Sequence, residues 1–408
     1  MEKLRLGVIG LGQRGSCLIQ DTIPLIPELI ITAVCDVYKD RTVAAAETIR
    51  AQTGTRPREY ANYADLLADG HVDGVIISTS WNTHAEIAAA AMRAGKITAL
   101  EVGGAYCIED CFLLIKTYEA TKTPFMLLEN CCYDKGEQLA LNMTRAGLFG
   151  EIVHCSGIYA HDLREEIAFG RENRHYRLDN YLKRNCENYP THELGPIAKV
   201  LGINNGNRML SLVSVASKAA GMDAYLKHND KADPSLRNCS FRQGDIVSTI
   251  ISCAGGETIS LQLDTTLPRL YDRAFTVRGT RGLYNQTWHM VYIDGVHEHS
   301  GGMPYEYGMK YFNNAVEYEK EFLPMYWLNA TAREMQAGHG GMDLFMLRDF
   351  ADCALNGKPM PIDVFDAAAW MSVTALSEKS IALGGQSVEI PDFTSGRWIT
   401  PTRGGAAV

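Results

Sequence analysis

Leu4-Arg5-Leu6-Gly7-Val8-Ile9-Gly10-Leu11-Gly12-Gln13-Arg14-Gly15 is a short apolar run that ends directly in a Gly-x-Gly-x-x-Gly turn. The next apolar run, Leu29–Val34, leads to Asp36. A strand, a glycine turn, a helix start and an acidic residue about 20 positions on together make the dinucleotide-binding fingerprint. In that reading Gly10 permits the tight turn, Gly12 lets the backbone approach a pyrophosphate, and Gly15 lets helix and strand pack closely. The helix N-terminus meets the phosphates, and Asp36 accepts hydrogen bonds from the adenosine ribose. A carboxylate at Asp36 repels a 2′-phosphate, so NAD is expected rather than NADP. Arg41 is the nearby residue that pulls the other way.

From this turn the pattern extends in both directions. Strand-like runs at Leu4–Ile9, Leu29–Cys35, Gly74–Ser78, Ile97–Glu101 and Phe125–Leu128 alternate with helical patterns at 39–52, 83–94 and 108–122. Such alternation predicts an α/β domain with a doubly wound parallel sheet, here an NAD-binding Rossmann domain over residues 1–128. Ligands of such sheets sit beyond the carboxyl ends of the strands. Asp36, Ser78 to His84 and Glu101 to Gly104 fall at those ends.

Residues 129–408 read as a substrate and catalytic α+β domain with a mixed, largely antiparallel sheet. A helix is expected over 135–146, then strands over 151–159, 210–215, 246–252, 258–265 and 273–278 with few helices between them. Two late helices, over 343–356 and 364–383, are expected to return to the first domain. The uncovered face of the sheet is expected to support a homo-oligomer. The stretch 295–308 is too long for a simple turn and is expected to close over the site.

Composition narrows the class. The chain has 408 residues, 46% hydrophobic and 21% charged, an ordinary balance for a globular protein with two cores. Its net charge of −9 lacks the basic footprint of a nucleic-acid binder. No apolar run approaches the roughly 20 residues that span a bilayer. With a strand starting at Leu4, no signal peptide is read, and a cytoplasmic location is expected. The 11 cysteines show no CxxC pair, so reduced thiols are expected, with neither a disulfide framework nor a metal site.

Three clusters in the second part carry candidate chemistry. In Tyr159-Ala160-His161-Asp162, residues i and i+2 of a strand face one side, so Tyr159 and His161 point together. In the segment from Asn185 to Pro196, Pro190 biases Tyr189 to an extended backbone and a helix starts after it, placing Tyr189 and His192 at a helix mouth. Gly338-His339-Gly340-Gly341-Met342-Asp343 reads as a turn with Asp343 as a helix N-cap.

These residues resemble the Gfo/Idh/MocA oxidoreductases across nearly the whole chain. That superfamily usually carries Glu-Lys-Pro after its fifth strand, and an Asp and a His four apart. Here the first motif reads Glu101-Val102-Gly103, without the lysine, and the second runs from Asn188 to His192, without the aspartate. The replacements are similar to glycoside hydrolase family 109, the NAD-dependent α-N-acetylgalactosaminidases. The matching segments are Met126 to Asn130, Tyr159 to Asp162, Lys183 to Asn185, Tyr189 to Pro196, Pro268 to Arg273 and Gly338 to Asp343.

The resemblance implies that Gly10, Gly12, Gln13, Arg14, Gly15, Asp36, Ser78, Trp81, Asn82, His84, Glu101, Val102 and Asn130 form the NAD site. It implies catalysis by His192, Tyr159, His161 and Glu129, and sugar binding by Arg177, Tyr189, Tyr271 and Asp343. The implied reaction on a small glycoside is oxidation at C3, elimination, water addition and re-reduction, with NAD tightly bound and recycled. No opposed carboxylate pair of the ordinary glycosidase kind is evident. Tyr159, as the base at C2, is expected to draw on Arg177 for a lowered pKa. The family usually has glycine where this chain has Glu193, and that carboxylate is expected to orient His192, raise its pKa or alter which sugar fits. The alternative activity is an NAD-dependent sugar or cyclitol dehydrogenase.

Overall fold

The computed structural model describes residues 3–298 and 309–401. Of the stretch 295–308, residues 299–308 lie outside the described residues. Its start is held by His297, whose Nδ1 accepts from the Ile293 N–H at 2.7 Å. The chain forms two compact units. One runs to Tyr133 and includes Ala330–Ser372; the other comprises Asp134–Asn329 with the residues from Val373.

The first unit holds a six-stranded parallel sheet of β1 (Leu4–Ile9), β2 (Leu29–Cys35), β3 (Arg58–Tyr60), β4 (Gly74–Ile77), β5 (Ile97–Glu101) and β6 (Phe125–Leu128). Their order is β3-β2-β1-β4-β5-β6, the doubly wound arrangement. All four residues of β4 and of β6 are buried, as expected for strands covered on both faces. The edge strand β3 has only three residues and no apolar alternation, which is why periodicity did not reveal it.

The glycine turn after β1 explains itself by packing. Gly10 has φ +91°, and a Cβ there would lie 2.6 Å from the Ser78 carbonyl carbon and oxygen. A Cβ on Gly15 would lie 2.1 Å from the Gly10 carbonyl oxygen. Gly12 differs: its φ is −67°, and a Cβ would meet only Arg41 Nη1, at 3.6 Å. The fold therefore needs Gly10 and Gly15, but it does not need Gly12.

The second unit is built on an eight-stranded sheet. Its strands are β7 (Ile152–Ala160), β8 (Met209–Ala216), β9 (Ile246–Cys253), β10 (Thr258–Asp264), β11 (Thr276–Gly279), β12 (Gly282–Asn285), β13 (Met290–Ile293) and β14 (Val388–Glu389). The order is β13-β12-β11-β7-β10-β9-β8-β14, antiparallel except for β7 beside β10. Alternation assigns the faces. Val247, Thr249, Ile251 and Cys253 are buried, whereas Ile250 and its cross-strand partner Val213 are exposed. On the buried face Gly157 lets the helix Thr191–Val200 come close, since a Cβ there would lie 3.0 Å from Glu193 Cβ.

Gly15→Ala is expected to destabilise the NAD-free protein by about 2–3 kcal/mol through overpacking. Gly12→Ala is expected to stay within about 0.5 kcal/mol of the parent. Thermal denaturation of the two variants without cofactor checks both values.

Candidate active site

In the first unit the expected cofactor residues all stand at carboxyl ends of parallel strands. Gly10 to Gly15 follow β1, Asp36 follows β2, Ser78 follows β4, Glu101 closes β5 and Asn130 follows β6. Trp81, Asn82 and His84 occupy the first turn of the helix Trp81–Arg93. Asp36 accepts from the Leu11 N–H at 2.8 Å and the Tyr38 N–H at 2.9 Å, with Arg41 Nη1 at 3.8 Å. Each of its oxygens keeps a lone pair for a ribose hydroxyl. Ser78 Oγ donates to the Gly10 carbonyl at 2.7 Å and so braces the turn. His84 donates through Nε2–H to the Thr79 carbonyl at 2.9 Å, and burial pulls its pKa down to about 4, so the ring is neutral.

The open space at Gly12, where packing alone would tolerate a side chain, is the feature that fits a bound pyrophosphate. Gly103, named by sequence only as the end of the Glu101-Val102-Gly103 motif, has a packing role. A Cβ there would lie 2.3 Å from the Trp81 indole, so glycine lets the ring lie against the backbone after β5. Val102 is buried and apolar. It offers no proton where the superfamily has lysine.

Arg14 is committed within this unit. Its Nε donates to Glu101 Oε1 at 2.8 Å, and its Nη1 and Nη2 donate to Asp343 at 2.5 and 3.0 Å. Asp343 also accepts from Asn130 Nδ2 at 2.8 Å and contacts His339 Nδ1 at 2.9 Å. Burial pushes the Asp343 carboxyl up, but the Arg14 charge and the Arg14 and His339 hydrogen bonds outweigh it and hold the group ionised. The N-cap of the helix Met342–Asn356 is Gly341, not Asp343 as expected from the sequence. Asp343 lies two residues further in and buried, where Arg14 and Asn130 bind it. Gly338 makes room for it: a Cβ would lie 2.4 Å from Asp343 Oδ2. Glu129 is fully buried after β6 and accepts from the Cys131 N–H at 3.0 Å.

In the second unit the structure gathers most of the expected sugar and catalytic residues around Tyr159. Tyr159 and His161, two apart at the end of β7, meet with Oη 3.2 Å from Nδ1. The Tyr159 ring lies 4.6 Å from Tyr189, 5.6 Å from His192 and 6.5 Å from Tyr271, centroid to centroid. Tyr189 precedes the helix Thr191–Val200, and His192 is its second residue, edge-on to Tyr189 at 4.7 Å. Tyr271 arrives because Asp272 pairs with Ala160, which sets Tyr271 beside His161 at 5.3 Å. Arg177 lies 4.9 Å from the Tyr189 ring centroid, with its Nε 2.6 Å from Glu166 Oε1.

Burial decides the protonation states here. It pushes the Tyr159 phenol well above its usual range, and Arg177 pulls it down by less. Arg177 lowers the Tyr159 pKa as expected, but burial of the ring outweighs it and the net shift is upward. Burial, then Arg177, push His161 down, leaving a neutral imidazole against a neutral phenol. Glu193 also departs from expectation. Its carboxyl turns to the sheet, accepting from the Gln262 N–H at 3.0 Å and meeting Glu187, instead of being directed at the histidine beside it.

Sequence reasoning missed Glu166, Glu187 and Arg273. Arg273 donates to the Tyr271 hydroxyl at 3.2 Å and is itself paired with Glu137 at 2.8 Å and Asp134 at 2.9 Å. Asp134 and Glu137 are far from Arg273 in the chain, so no spacing could have joined them.

The comparisons with known proteins agree with this geometry. Residues 4–127 match the oxidoreductase family with an NAD-binding Rossmann fold, and residues 133–400 match the C-terminal domain of glycosyl hydrolase 109. A glycosyl hydrolase family 109 protein of Stenotrophomonas maltophilia is 37% identical, over 97% of this chain and 90% of that protein. An α-N-acetylgalactosaminidase of Tannerella forsythia is 35% identical, over 97% of this chain and 87% of that protein. Among solved structures, a levoglucosan dehydrogenase in complex with NADH and levoglucosan aligns with a TM-score of 0.71 at 18% identity, covering 96% of this chain and 100% of that one. The myo-inositol 2-dehydrogenase of Lactobacillus plantarum aligns at 0.67 and 15%, with the same coverage. At such identities the solved structures establish the fold alone. Among the described residues no helix is long and apolar enough to cross a membrane. With the hydrolase match spanning more than half its length behind an NAD-binding Rossmann domain, the chain belongs to glycosyl hydrolase family 109.

Proposed function

We propose that this chain hydrolyses N-acetylgalactosaminides, or a closely related hexosaminide, by a redox route in which NAD stays bound and is recycled. The observation that carries the reading is the enclosed cluster of Tyr159, His161, Tyr189 and His192, in a chain with apolar Val102 at the lysine position. The name of the Tannerella forsythia relative points to the sugar. NAD+ held along Gly10 to Gly15, Asp36, Trp81 to His84, Glu101 and Asn130 supplies a reversible hydride acceptor for C3 of the sugar. A C3 ketone acidifies the C2 proton, and the glycosidic oxygen then leaves by elimination, with no need for opposed carboxylates.

His192 takes the C3 hydroxyl proton. At C2, Tyr159 and His161 act as one relay: Tyr159 Oη receives the carbon's proton as its own passes to His161 Nδ1, 3.2 Å away. The phenol then never carries the full negative charge that burial opposes. Arg177 and Tyr189 bind the sugar, with Glu166 fixing the guanidinium. Tyr271, half-exposed and tethered by Arg273, covers the ring. Asp343 acts as a positioning residue through Arg14. The open face of the second sheet, with Val213, Val215 and Ile250 exposed, supports self-association.

Incubation in D2O with α- and β-linked nitrophenyl N-acetylgalactosaminides tests the route. Nitrophenol release, deuterium at C2 of the freed sugar and no net NADH are expected. NADH accumulating with the glycosidic bond intact would replace it with a sugar or cyclitol dehydrogenase. His192→Ala is expected to lower kcat by about 10²–10⁴. Tyr159→Phe is expected to abolish C2 exchange.

The acid side of the pH profile follows from His161. Its pKa is lowered, so it stays a competent acceptor until the pH falls below the ordinary histidine range near about 6.5. Arg177→Met removes a positive charge that disfavours imidazolium, so the acid limb of kcat is expected to move to higher pH. Sedimentation of Ile250→Asp against the parent checks self-association, with a shift to smaller species expected.

A further inference from the structure

Glu187 and Glu193 are 0% and 2% exposed; burial pushes both carboxyls up, and the Glu187 charge pushes Glu193 up further. Glu187 Oε1 accepts from the Tyr189 N–H at 3.4 Å, and Glu193 Oε2 accepts from the Gln262 N–H at 3.0 Å. The remaining oxygens, Glu187 Oε2 and Glu193 Oε1, have no donor from any other described residue. Two ionised carboxylates in contact out of water would repel each other without compensation. A proton between those two oxygens satisfies both.

The charged and titratable neighbours supply no free counter-charge. Beside Glu187, Arg184 pairs with Glu378 of the helix Val364–Ala382 at 2.6 Å, and that helix otherwise offers Ser377 Oγ, which accepts from the Glu187 N–H at 2.9 Å. Cys186 is buried, with its thiol pushed up by burial. The helix Lys135–Arg145 contributes Glu137, bound to Arg273. From β10, Asp264 is paired with Arg269, and from β7 comes Tyr159, a neutral phenol. His192, Tyr189 and the buried Tyr181 complete the set.

The pair joins the segments that carry the catalytic rings. Glu187 holds the backbone of Tyr189. Glu193, next to His192 in sequence, holds β10 at Gln262 and lies against β7 at Gly157, two residues before Tyr159. We infer that Glu187 and Glu193 share one proton and position Tyr159, Tyr189 and His192, which keep their mutual register only while that proton is present. This inference rests on the assignment of those three residues to catalysis.

Glu193→Gln tests it, since the amide oxygen can accept from Gln262 while the amide N–H replaces the shared proton. The wild type is expected to lose about tenfold in kcat/KM for each pH unit above the titration of the pair, whereas Glu193→Gln holds within about twofold over the same range. Glu193→Ala, which leaves Glu187 without its partner, is expected to lose activity at neutral pH that the glutamine variant retains. A reading independent of catalysis accompanies these. A folded-state pKa above the unfolded value means that the folded protein holds the extra proton, so stability is lost as pH rises through the folded value. The wild-type Tm is therefore expected to fall more steeply than that of Glu193→Gln between about pH 6 and pH 9. The infrared C=O stretch of a protonated carboxylic acid is expected to vanish over that range in the wild type only.

Identical infrared and Tm titrations in the two proteins would overturn the shared proton, whether or not either cleaves a glycoside. A pair that titrates as expected, with superimposable wild-type and Glu193→Gln kcat/KM profiles, would overturn the positioning role.

Discussion

Arg14 sits where four distant stretches of the first unit meet. It leaves the glycine turn after β1, reaches Glu101 at the end of β5, and grips Asp343, which in turn holds Asn130 after β6 and His339 in the turn before it. Glu101 and Asp343 are buried carboxylates held by the partly exposed Arg14 guanidinium, and leaving a buried charge without its partner costs about 3–5 kcal/mol. The strand ends where a dinucleotide binds are therefore not independent loops. They are members of one ionic cluster, which Asp343 extends into the segment Ala330–Ser372 of the same compact unit.

In the second unit the two rings at the heart of the cluster stay uncharged. Tyr159 stays a phenol because it is buried, which Arg177 does not overcome, and His161 stays a neutral imidazole because it is half-buried beside Arg177. Such a pair suits proton transfer in which no full charge has to form in the enclosed site. It differs from the usual glycosidase arrangement, where an acid and a carboxylate flank the bond.

Glu193 shows how little a single residue type says about its role. Beside a histidine, a glutamate suggests an orienting partner. On the helix Thr191–Val200, however, His192 and Glu193 point in different directions, and Gly157 opens a place for Glu193 against β7. The carboxyl then finds Glu187, and two acids occupy a space that excludes water.

Local patterns carried most of the fold. The strand, glycine turn and Asp36 spacing announced the first sheet, and period-two alternation announced the second, because both are short-range consequences of backbone geometry. The pairing of Tyr159 with His161 was also legible, since i and i+2 share a face of a strand, as was the helix start after Pro190. Three-residue β3 and the short β12 to β14 were not legible, since so few residues establish no period. Nor was the burial of Asp343, the tether from Arg273 to Tyr271, or the meeting of Glu187 with Glu193. The sequence by itself determined the two sheets, the cofactor turn and the list of candidate side chains. Only the tertiary structure decided which of them lie out of water and beside which charges, because desolvation and ion pairing depend on neighbours that the chain brings together from far apart.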